Sequence, residues 1–361
     1  MNTIFKIVLL AIFSLALAQD EFFQPSSSIG GYGELHWNKA NDIDGNQTKN
    51  TMDFHRFIIY YGYNWTEKWT FKSEVELEHN IVGGDEDDPD GTGTTIGYAG
   101  ELELEQAFVN YHSRNWGFQC GVILPTTGLL NEYHEPPLFF SVERPNYSKY
   151  IIPTTWFGNG IAFYGNYSDF NFRLALMEDL EGEGISNSGI RGGRGKGYKT
   201  TGYSLLKNLS ASYTGINRLR LGGSLSLNDA PYYNEADTSI SVQLVEVNAK
   251  YYANNIYAVM EYGTVSFSGN NMDAPLKSSS GYYLDMGYDI GGMVNCNKLI
   301  PWMRISNVSK NDDDVSKQTD YMRFGLTWWP IDQVAFKTDF ANVTIEDETT
   351  TEFNVGIGYN F

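Results

Sequence analysis

The sequence predicts an all-β fold: a transmembrane up-and-down antiparallel β-barrel of about sixteen strands. Three observations predict it. The chain ends in an alternating strand that closes on an aromatic residue, strand-like segments are joined alternately by long and short connections, and aromatic residues gather beside the short connections.

The final stretch, residues 350–361, has a strict period of two. Its apolar row is Phe353, Val355, Ile357, Tyr359 and Phe361, and the intervening residues are small or polar. This pattern predicts a strand with one apolar face. An unpaired last strand would promote aggregation of a soluble protein, whereas a closed barrel pairs its last strand with its first. We therefore expect this strand to close the barrel.

The segments that alternate in this way fall into sixteen predicted strands: 28–38, 51–63, 68–80, 99–112, 116–124, 157–166, 169–179, 201–213, 217–228, 239–252, 255–268, 280–290, 298–308, 318–329, 332–344 and 350–361. The connections at 39–50, 81–98, 125–156, 180–200, 229–238, 269–279, 309–317 and 345–349 are interpreted as long extracellular loops. The connections at 64–67, 113–115, 167–168, 214–216, 253–254, 291–297 and 330–331 are interpreted as short periplasmic turns.

Aromatic residues flank the predicted short turns, and we expect them to form a belt at one membrane surface. They are Trp65, Trp69, Trp116, Tyr164, Tyr167, Tyr213, Tyr251, Tyr252, Tyr288, Trp328, Trp329, Tyr359 and Phe361.

The N-terminus has the pattern of an export signal. Lys6 precedes an apolar run that ends at Ala16-Leu17-Ala18, so residues 1–18 are predicted to be a cleaved signal peptide and residues 19–361 a single barrel domain. No later segment approaches the roughly 20 apolar residues of a membrane-spanning helix. The net charge of −19 argues against nucleic acid as a partner. Cys120 and Cys296 are expected to be free thiols rather than a disulfide.

Charged residues inside the predicted strands indicate a polar lumen, because a carboxylate that faces lipid is costly. Alternation predicts an acidic wall on the third and fourth strands. The alternation of polar and apolar residues is lost around residues 106–111, where we expect a bulge. The predicted wall comprises Glu74, Glu76, Glu78, Glu101, Glu103 and Glu105.

The same argument predicts cationic side chains on the lumen face of other strands, most of them across the lumen from the acidic wall. The predicted basic lining is Arg56, Arg173, Arg218, Arg220, Arg304, Arg323 and Lys337. Opposed walls would favour passage of small charged or dipolar solutes. Alternatively, these charged side chains could form salt bridges with one another and fill a narrow, closed interior. A sixteen-stranded barrel is wide, and its width favours a water-filled channel instead.

Two long loops are predicted to constrict the lumen. Residues 125–156 mix apolar and charged side chains, and residues 180–200 set cations among glycines in a pattern that could bind an anion. The candidate residues are His134, Glu135, Arg144, Arg191, Arg194 and Lys196. Because the five histidines are scattered along the sequence and no nucleophile accompanies them, we expect no catalytic residue, no metal site and no cofactor.

Several motifs resemble those of bacterial outer-membrane porins of the phosphate-selective porin O and P type, in the branch typical of Bacteroidetes-like bacteria. The motifs are GYGEL (31–35), FHRF (54–57), GELELEQA (100–107), GLLNE (128–132), HEPP (134–137), VERP (142–145), IIPTTW (151–156) and IRGGR (190–194). They cover mainly residues 28–200.

The resemblance implies a sixteen-stranded, often trimeric diffusion channel in the bacterial outer membrane, whose best-known members select phosphate with arginines and a ladder of lysines. This sequence departs from that pattern because it is strongly acidic and shows no lysine ladder.

We therefore expect an outer-membrane porin, not an enzyme, through which small hydrophilic solutes diffuse passively, with membrane lipid and lipopolysaccharide around it and a homotrimer as its assembly. The alternative is a non-conducting surface barrel that acts in adhesion, partner binding or envelope integrity.

Overall fold

A computed structural model describes residues 23–80, 100–186, 189–233 and 235–361, and these residues form a closed antiparallel barrel. Each of its sixteen strands pairs with its neighbours in sequence, and the first pairs with the last. The strands are β1 (Ser26–Asn41), β2 (Gln47–Asn64), β3 (Trp69–Glu78), β4 (Leu102–His112), β5 (Trp116–Ile123), β6 (Gly158–Tyr167), β7 (Phe170–Met177), β8 (Leu206–Ile216), β9 (Leu219–Tyr232), β10 (Glu235–Ala253), β11 (Ile256–Asn270), β12 (Ser278–Tyr288), β13 (Leu299–Ser309), β14 (Gln318–Ile331), β15 (Val334–Ile345) and β16 (Glu348–Asn360).

The predicted strand count and the closing role of the last strand are confirmed. β16 pairs with β1 from Tyr32↔Asn360 to Asn41↔Thr351, and with β15 on its other edge. Phe353 and Val355 face outward and are exposed, while Asn354 faces the lumen and is buried. The apolar row therefore points away from the lumen, as the period of two predicts.

The outer surface is a band of large apolar side chains. Phe163, Leu174, Leu209, Met322 and Phe324 are each more than 40% exposed. A contiguous apolar exterior of this kind marks a membrane-facing surface rather than the surface of a soluble monomer. The fold is an integral outer-membrane type of β-barrel.

The connections alternate between two ends of the barrel, which we call the long-loop end and the short-turn end. The predicted long connections 229–238 and 345–349 are wrong, because β9, β10, β15 and β16 extend outward and leave only tight turns. The predicted short connection 291–297 is instead a longer segment that contains the 3₁₀ turn Gly291–Met293. These strands continue beyond the alternating apolar pattern because the backbone groups of each hairpin still pair with one another.

Two long connections at the long-loop end are described by the structure for nearly all of their length. The first, residues 124–157, is called here the inward loop and contains the 3₁₀ turn Pro136–Leu138 and a short helix, α1 (Tyr147–Tyr150). The second, residues 178–205, is called the basic loop and contains the 3₁₀ turns Gly182–Gly184 and Arg191–Gly193. A further 3₁₀ turn spans Val315–Lys317. Among the described residues, no helix is long and apolar enough to cross a membrane.

The buried apolar core lies inside the barrel rather than between layers. Tyr147, Ile151 and Ile152 of the inward loop pack with Tyr283 and Leu244 of the barrel wall. A second cluster joins Phe140 of the inward loop to wall residues that include Trp302 and Trp329. The inward loop is thus held within the lumen by apolar burial as well as by polar contacts.

Two β-bulges alter the alternation of side chains near the inward loop. The β3–β4 register passes from Glu74↔Gln106 to Val75↔Leu104, which leaves Glu105 as the additional residue. The β1–β2 register passes from Glu34↔Arg56 to Leu35↔Phe54, which leaves His55 as the additional residue. The sequence predicts a bulge around residues 106–111, and the structure has one in β4 at Glu105, immediately before that stretch. A bulge can direct an extra polar side chain inward.

Most of the predicted aromatic belt faces outward, but some members do not. Trp116, Tyr167 and Trp328 are exposed on the outer surface near the short turns. Trp329 is only 3% exposed, and its indole N–H donates to the carbonyl oxygen of Pro137 in the inward loop at 3.1 Å. Adjacent residues of a strand face opposite sides, so Trp328 and Trp329 cannot both belong to the belt.

Cys120 and Cys296 are both free, with Cys120 exposed on the outer side of β5. The expectation of two unpaired thiols is confirmed for the described structure. The predicted signal peptide, residues 1–18, lies outside the described residues.

Candidate functional site: the lumen and its inward loop

The inward loop is fixed to the wall formed by β13, β14 and β15. Arg304 Nη1 donates to Ser141 Oγ at 2.8 Å, and Lys337 Nζ donates to the Ser141 carbonyl oxygen at 2.9 Å. The backbone N–H of Val142 donates to Asp339 Oδ2 at 2.7 Å. Hydrogen bonds to charged groups are stronger than neutral ones, so this side of the lumen holds the loop firmly.

The adjoining wall, formed by β1 to β4, holds the same loop. Glu143 accepts from Asn38 Nδ2 at 3.0 Å and lies 3.0 Å from His36 Nδ1. Arg144 Nη2 donates to the carbonyl oxygen of His134 at 3.2 Å, which braces the loop internally. Burial alone would raise the pKa of Glu143, but the contact with His36 outweighs it and lowers the pKa below its usual range.

A third set of contacts reaches β10 and β11. The backbone N–H of Leu129 donates to Glu261 Oε1 at 3.2 Å, and Tyr283 donates its hydroxyl proton to Glu261 Oε2 at 3.0 Å. Gly128 adopts φ +70° here, a backbone conformation that favours glycine, and a Cβ at this position would lie 2.2 Å from Glu261 Oε1 and displace that side chain. The inward loop therefore spans the lumen and contacts three sectors of its wall.

Three cavities of about 510 Å³ or more, all lined by described residues, lie around the inward loop. The first, called the vestibule, has about 530 Å³ and lies toward the long-loop end, lined by residues that include Lys49, Lys149 and Arg191. The second, called the wide cavity, has about 750 Å³ and reaches the β4–β5 turn at Arg114. The third, called the aromatic cavity, has about 510 Å³ and lies beside Tyr252.

Shared lining residues connect the cavities in sequence. Pro145 and Arg304 line both the vestibule and the aromatic cavity. Arg220 and Lys250 line both the aromatic cavity and the wide cavity. The aromatic cavity therefore adjoins both of the other cavities and shares two lining residues with each.

All three cavities carry more cationic than anionic lining residues. The vestibule has eight Lys or Arg against five Asp or Glu. The wide cavity has four against two, and the aromatic cavity has five against one. The described lining of these three cavities thus carries an excess of cations, although the whole chain has a net charge of −19. A narrow space lined by one sign of charge concentrates ions of the opposite sign.

The predicted acidic wall lies on the lumen side, but most of it lines none of these three cavities. Glu74, Glu76 and Glu105 are at most 1% exposed beneath the inward loop. Glu101 and Glu103 contact Lys196 of the basic loop. Glu78 alone of the six lines the vestibule. Strand alternation does not show where the loops that cover this wall lie. Because of these loops, most of the glutamates that were predicted to line the channel contact a loop instead.

The predicted basic lining divides into paired and unpaired groups. Arg304 makes a bidentate contact with Asp285, with Nε–Oδ1 at 2.5 Å and Nη2–Oδ2 at 2.7 Å. Arg323 contacts Asp339 and Glu352. These contacts join neighbouring strands or, for Glu352, the next strand but one. The two opposed walls of separated charge that alternation predicts are therefore replaced by local ion pairs on one wall.

The remaining predicted cations occupy different positions. Arg56 pairs with Glu34 at 2.7 Å, and Lys337 is buried against the inward loop. Arg173 lines the wide cavity and donates to Gln119 and Thr126, and Arg220 lines two cavities. Arg218 lies in the β8–β9 turn with φ +64° and is exposed at the edge of the aromatic cavity, rather than on a strand.

The loop candidates also divide by position. Arg144 and Arg191 line the vestibule. Arg194 instead donates to the carbonyl oxygens of Thr154 and Thr155 at 2.9 and 2.8 Å, and burial together with nearby Arg191 lowers its pKa to about 10. Lys196 covers Glu101 and Glu103, as described above.

His134 and Glu135 lie on the side of the loop that faces β2 to β4. His134 is only 2% exposed and lies beside Glu74 and Glu105. Glu135 accepts from the Tyr60 hydroxyl at 3.4 Å. These two residues therefore attach the loop to the wall and do not line the three cavities.

Sequence reasoning missed a row of histidines in the vestibule. The rings of His36 and His55 stack with centroids 4.9 Å apart, and His79 meets His55 edge-on at 5.1 Å. His55 and His79 both contact Asp53. Their wide spacing along the chain conceals the cluster, because β1, β2 and the end of β3 bring them together through strand pairing. One signal was available in the sequence. Glu34 and His36 are two residues apart in β1, so both side chains could have been predicted to face the lumen.

Comparisons with known proteins support the fold. No family model matches the chain. A relative from Aquifex aeolicus (strain VF5), described only as an uncharacterized protein, is 29% identical over 349 residues, which cover 89% of this chain and 76% of that protein. The resemblance to phosphate-selective porins therefore stays a prediction.

Several solved outer-membrane proteins have a similar fold. The outer-membrane expressed OmpT of Vibrio cholerae has a TM-score of 0.61 at 9% identity and covers 95% of this chain and 100% of its own. OmpF of Salmonella typhi, in a complex with daunomycin, has a TM-score of 0.62 at 13% identity, with 93% and 97% covered. The outer-membrane channel DcaP of Acinetobacter baumannii has a TM-score of 0.60 at 12% identity, with 95% and 99% covered. At these identities the likeness concerns the fold, which is that of outer-membrane porins and channels.

Proposed function

We propose that this protein is an outer-membrane porin through which small hydrophilic solutes diffuse passively, with a preference for anions. The observation that carries the proposal is the series of three positively lined cavities that share residues on both sides of the inward loop. The route enters at the vestibule on the extracellular side, passes Arg304 and Pro145, and leaves past Arg220 at the periplasmic side.

The inward loop supplies the constriction in this account. Its contacts with three sectors of the wall fix it at a definite position, so solutes are filtered by size and by charge at the same place. Phosphate belongs to the chemical class that such a lining attracts, since guanidinium groups bind phosphate in a bidentate manner. Inorganic phosphate is therefore a solute to test first, beside chloride.

Chemical labelling of the lumen tests the route. In a Cys120→Ser/Cys296→Ser background, Arg220→Cys places a thiol where two cavities meet, and Leu221→Cys places the matched thiol on the outer surface. We expect a bulky, charged thiol reagent to reduce single-channel current through the Arg220→Cys protein and leave the Leu221→Cys protein unchanged.

Two results would overturn the proposal. A wild-type protein that inserts into bilayers but gives no current and no solute flux in liposomes would favour a non-conducting surface barrel. Equal loss of current for both labelled variants would show that the reagent acts on the membrane-facing surface rather than on a lumenal route.

The proposal extends to assembly. We propose a homotrimer, in line with the resemblance stated above, and the OmpT of Vibrio cholerae has been described in a trimer form. Analytical ultracentrifugation of the detergent-solubilised protein distinguishes a trimer from a monomer by mass.

A further inference from the structure

His134, Glu74 and Glu105 meet at a buried point between the inward loop and the barrel wall. Their side chains are 2%, 1% and 0% exposed. His134 Nε2 lies 3.5 Å from Glu74 Oε1 and 3.5 Å from Glu105 Oε2. The three ligand-type atoms lie within 4.8 Å of one another.

These atoms have no hydrogen-bond partner. Both oxygens of Glu105, Oε1 of Glu74 and Nε2 of His134 are buried without one. A separation of 3.5 Å exceeds the usual 2.7–3.2 Å of an N–H···O hydrogen bond, and a single N–H cannot serve two carboxylates. Leaving such groups unsatisfied in the interior is costly, so the arrangement requires a further partner.

The ring of His134 is oriented so that Nε2 points at the carboxylates. Nδ1 lies 2.9 Å from the carbonyl oxygen of Asn131, and because a carbonyl oxygen can only accept, Nδ1 carries the proton. In the neutral ring Nε2 then presents a lone pair toward Glu74 and Glu105. A histidine that donates its other N–H to a backbone carbonyl is typical of metal ligands.

The carboxylates are oriented in the same way. Gln106 donates to Oε2 of Glu74, which leaves Oε1 directed at His134. Glu105 keeps the inward parity of Glu103, and the bulge in β4 places the next residue, Gln106, opposite Glu74, so both side chains lie beside Glu74. Nearby carboxylates have their own cations, since Glu76 lies 3.3 Å from Arg56 and Glu103 contacts Lys196.

We propose that Glu74, Glu105 and His134 bind a divalent transition-metal ion of the zinc type, which ties the inward loop to β3 and β4. Metal–ligand bonds of about 2.0–2.2 Å in tetrahedral geometry separate ligands by about 3.4 Å, close to the observed 3.5 Å. One imidazole and two carboxylates suit Zn²⁺, and Co²⁺ can replace it as a spectroscopic probe. The inference does not depend on conduction, because it concerns how the loop is held.

The test uses the purified full-length barrel in detergent, stripped with EDTA and titrated with Zn²⁺ in competition with a chromophoric chelator. Heat-modifiable migration on gels verifies that each variant is folded. We expect one ion per chain for the wild type and an affinity at least 100-fold weaker for Glu105→Gln and for His134→Gln. The matched control is His79→Gln, which removes a partly exposed histidine from the separate Asp53–His55–His79 group and should leave the affinity unchanged.

Absence of stoichiometric Zn²⁺ binding by the folded wild type would overturn the inference and indicate a protonated His134 paired with the two carboxylates. Loss of binding in His79→Gln, with binding kept in Glu105→Gln, would overturn it in favour of the vestibule histidines. If the two ligand variants fail to fold, X-ray absorption of the Co²⁺-loaded wild type decides: imidazole and oxygen scattering at about 2.0–2.1 Å supports the site, and oxygen alone contradicts it.

Discussion

Replacing Arg304 tests how tightly the inward loop is bound to the barrel wall. Arg304 and Asp285 are 2% and 3% exposed, and their bidentate contact joins β13 to β12. Arg304→Ala would leave the Asp285 carboxylate buried and unpaired and would remove the hydrogen bond to Ser141. Breaking a buried pair by removing one partner costs about 3–5 kcal/mol.

A double-mutant cycle isolates that pair. We expect Arg304→Ala to lower the free energy of unfolding by about 3–5 kcal/mol, and Arg304→Ala combined with Asp285→Ala to cost clearly less than the sum of the two single changes. The assay is denaturant unfolding in lipid vesicles, followed by tryptophan fluorescence. Arg220→Ala is the matched control, because Arg220 lines two cavities and has no ion pair among the described residues.

The reasoning predicts a coupling energy of roughly 3 kcal/mol between Arg304 and Asp285. A cost below about 1 kcal/mol for Arg304→Ala, comparable with an exposed pair, would refute it. Strict additivity of the two single changes would do the same, since it would mean that the two side chains do not stabilise each other.

The remaining predictions concern the loops. Trp329→Ala should lower the free energy of unfolding by about 3–5 kcal/mol and make single-channel current noisier, because the indole packs on the inward loop; unchanged stability and noise would contradict this. The pKa of Glu143 is lowered in the folded protein, so its stabilising contact with His36 is present above about pH 4.3 and is lost as the pH falls toward the folded pKa. Melting curves of the wild type and Glu143→Gln should therefore converge in acid, and parallel pH dependence would exclude the contact. Arg191→Ala should reduce anion preference with little loss of stability, whereas Arg194→Ala should destabilise the basic loop with little change in selectivity. Reversal potentials measure the first effect and melting curves the second. A shifted reversal potential only in Arg194→Ala, with a lowered melting temperature only in Arg191→Ala, would contradict these roles.

The barrel was predictable because strand periodicity is a local property. In residues 350–361 the alternation is written directly in the sequence, and the structure places Phe353 outside and Asn354 inside as expected. A bulge in β4 was also predictable from the loss of alternation after Glu105, although the structure places it at Glu105 itself. Such features depend on neighbouring residues and on the cost of exposing charge to lipid.

The lumen was less predictable because it depends on where long loops settle. Nothing in the alternation of Glu74 shows that His134, far along the chain, will cover it. Similarly, Arg304 faces the lumen as predicted, but its pairing with Asp285 depends on the register between β12 and β13. Sequence patterns give the face of each side chain, whereas partners across strands and loops follow from the folded register.

The reversal potential of single channels in a planar bilayer tests the central claim most directly. With a KCl gradient across the membrane, the positively lined cavities predict discrete conductance steps and a reversal potential that shows chloride passing more readily than potassium. The preference should weaken as ionic strength rises, because salt screens the lining charges. A preference for potassium, or inserted protein that gives no conductance steps, would contradict the account.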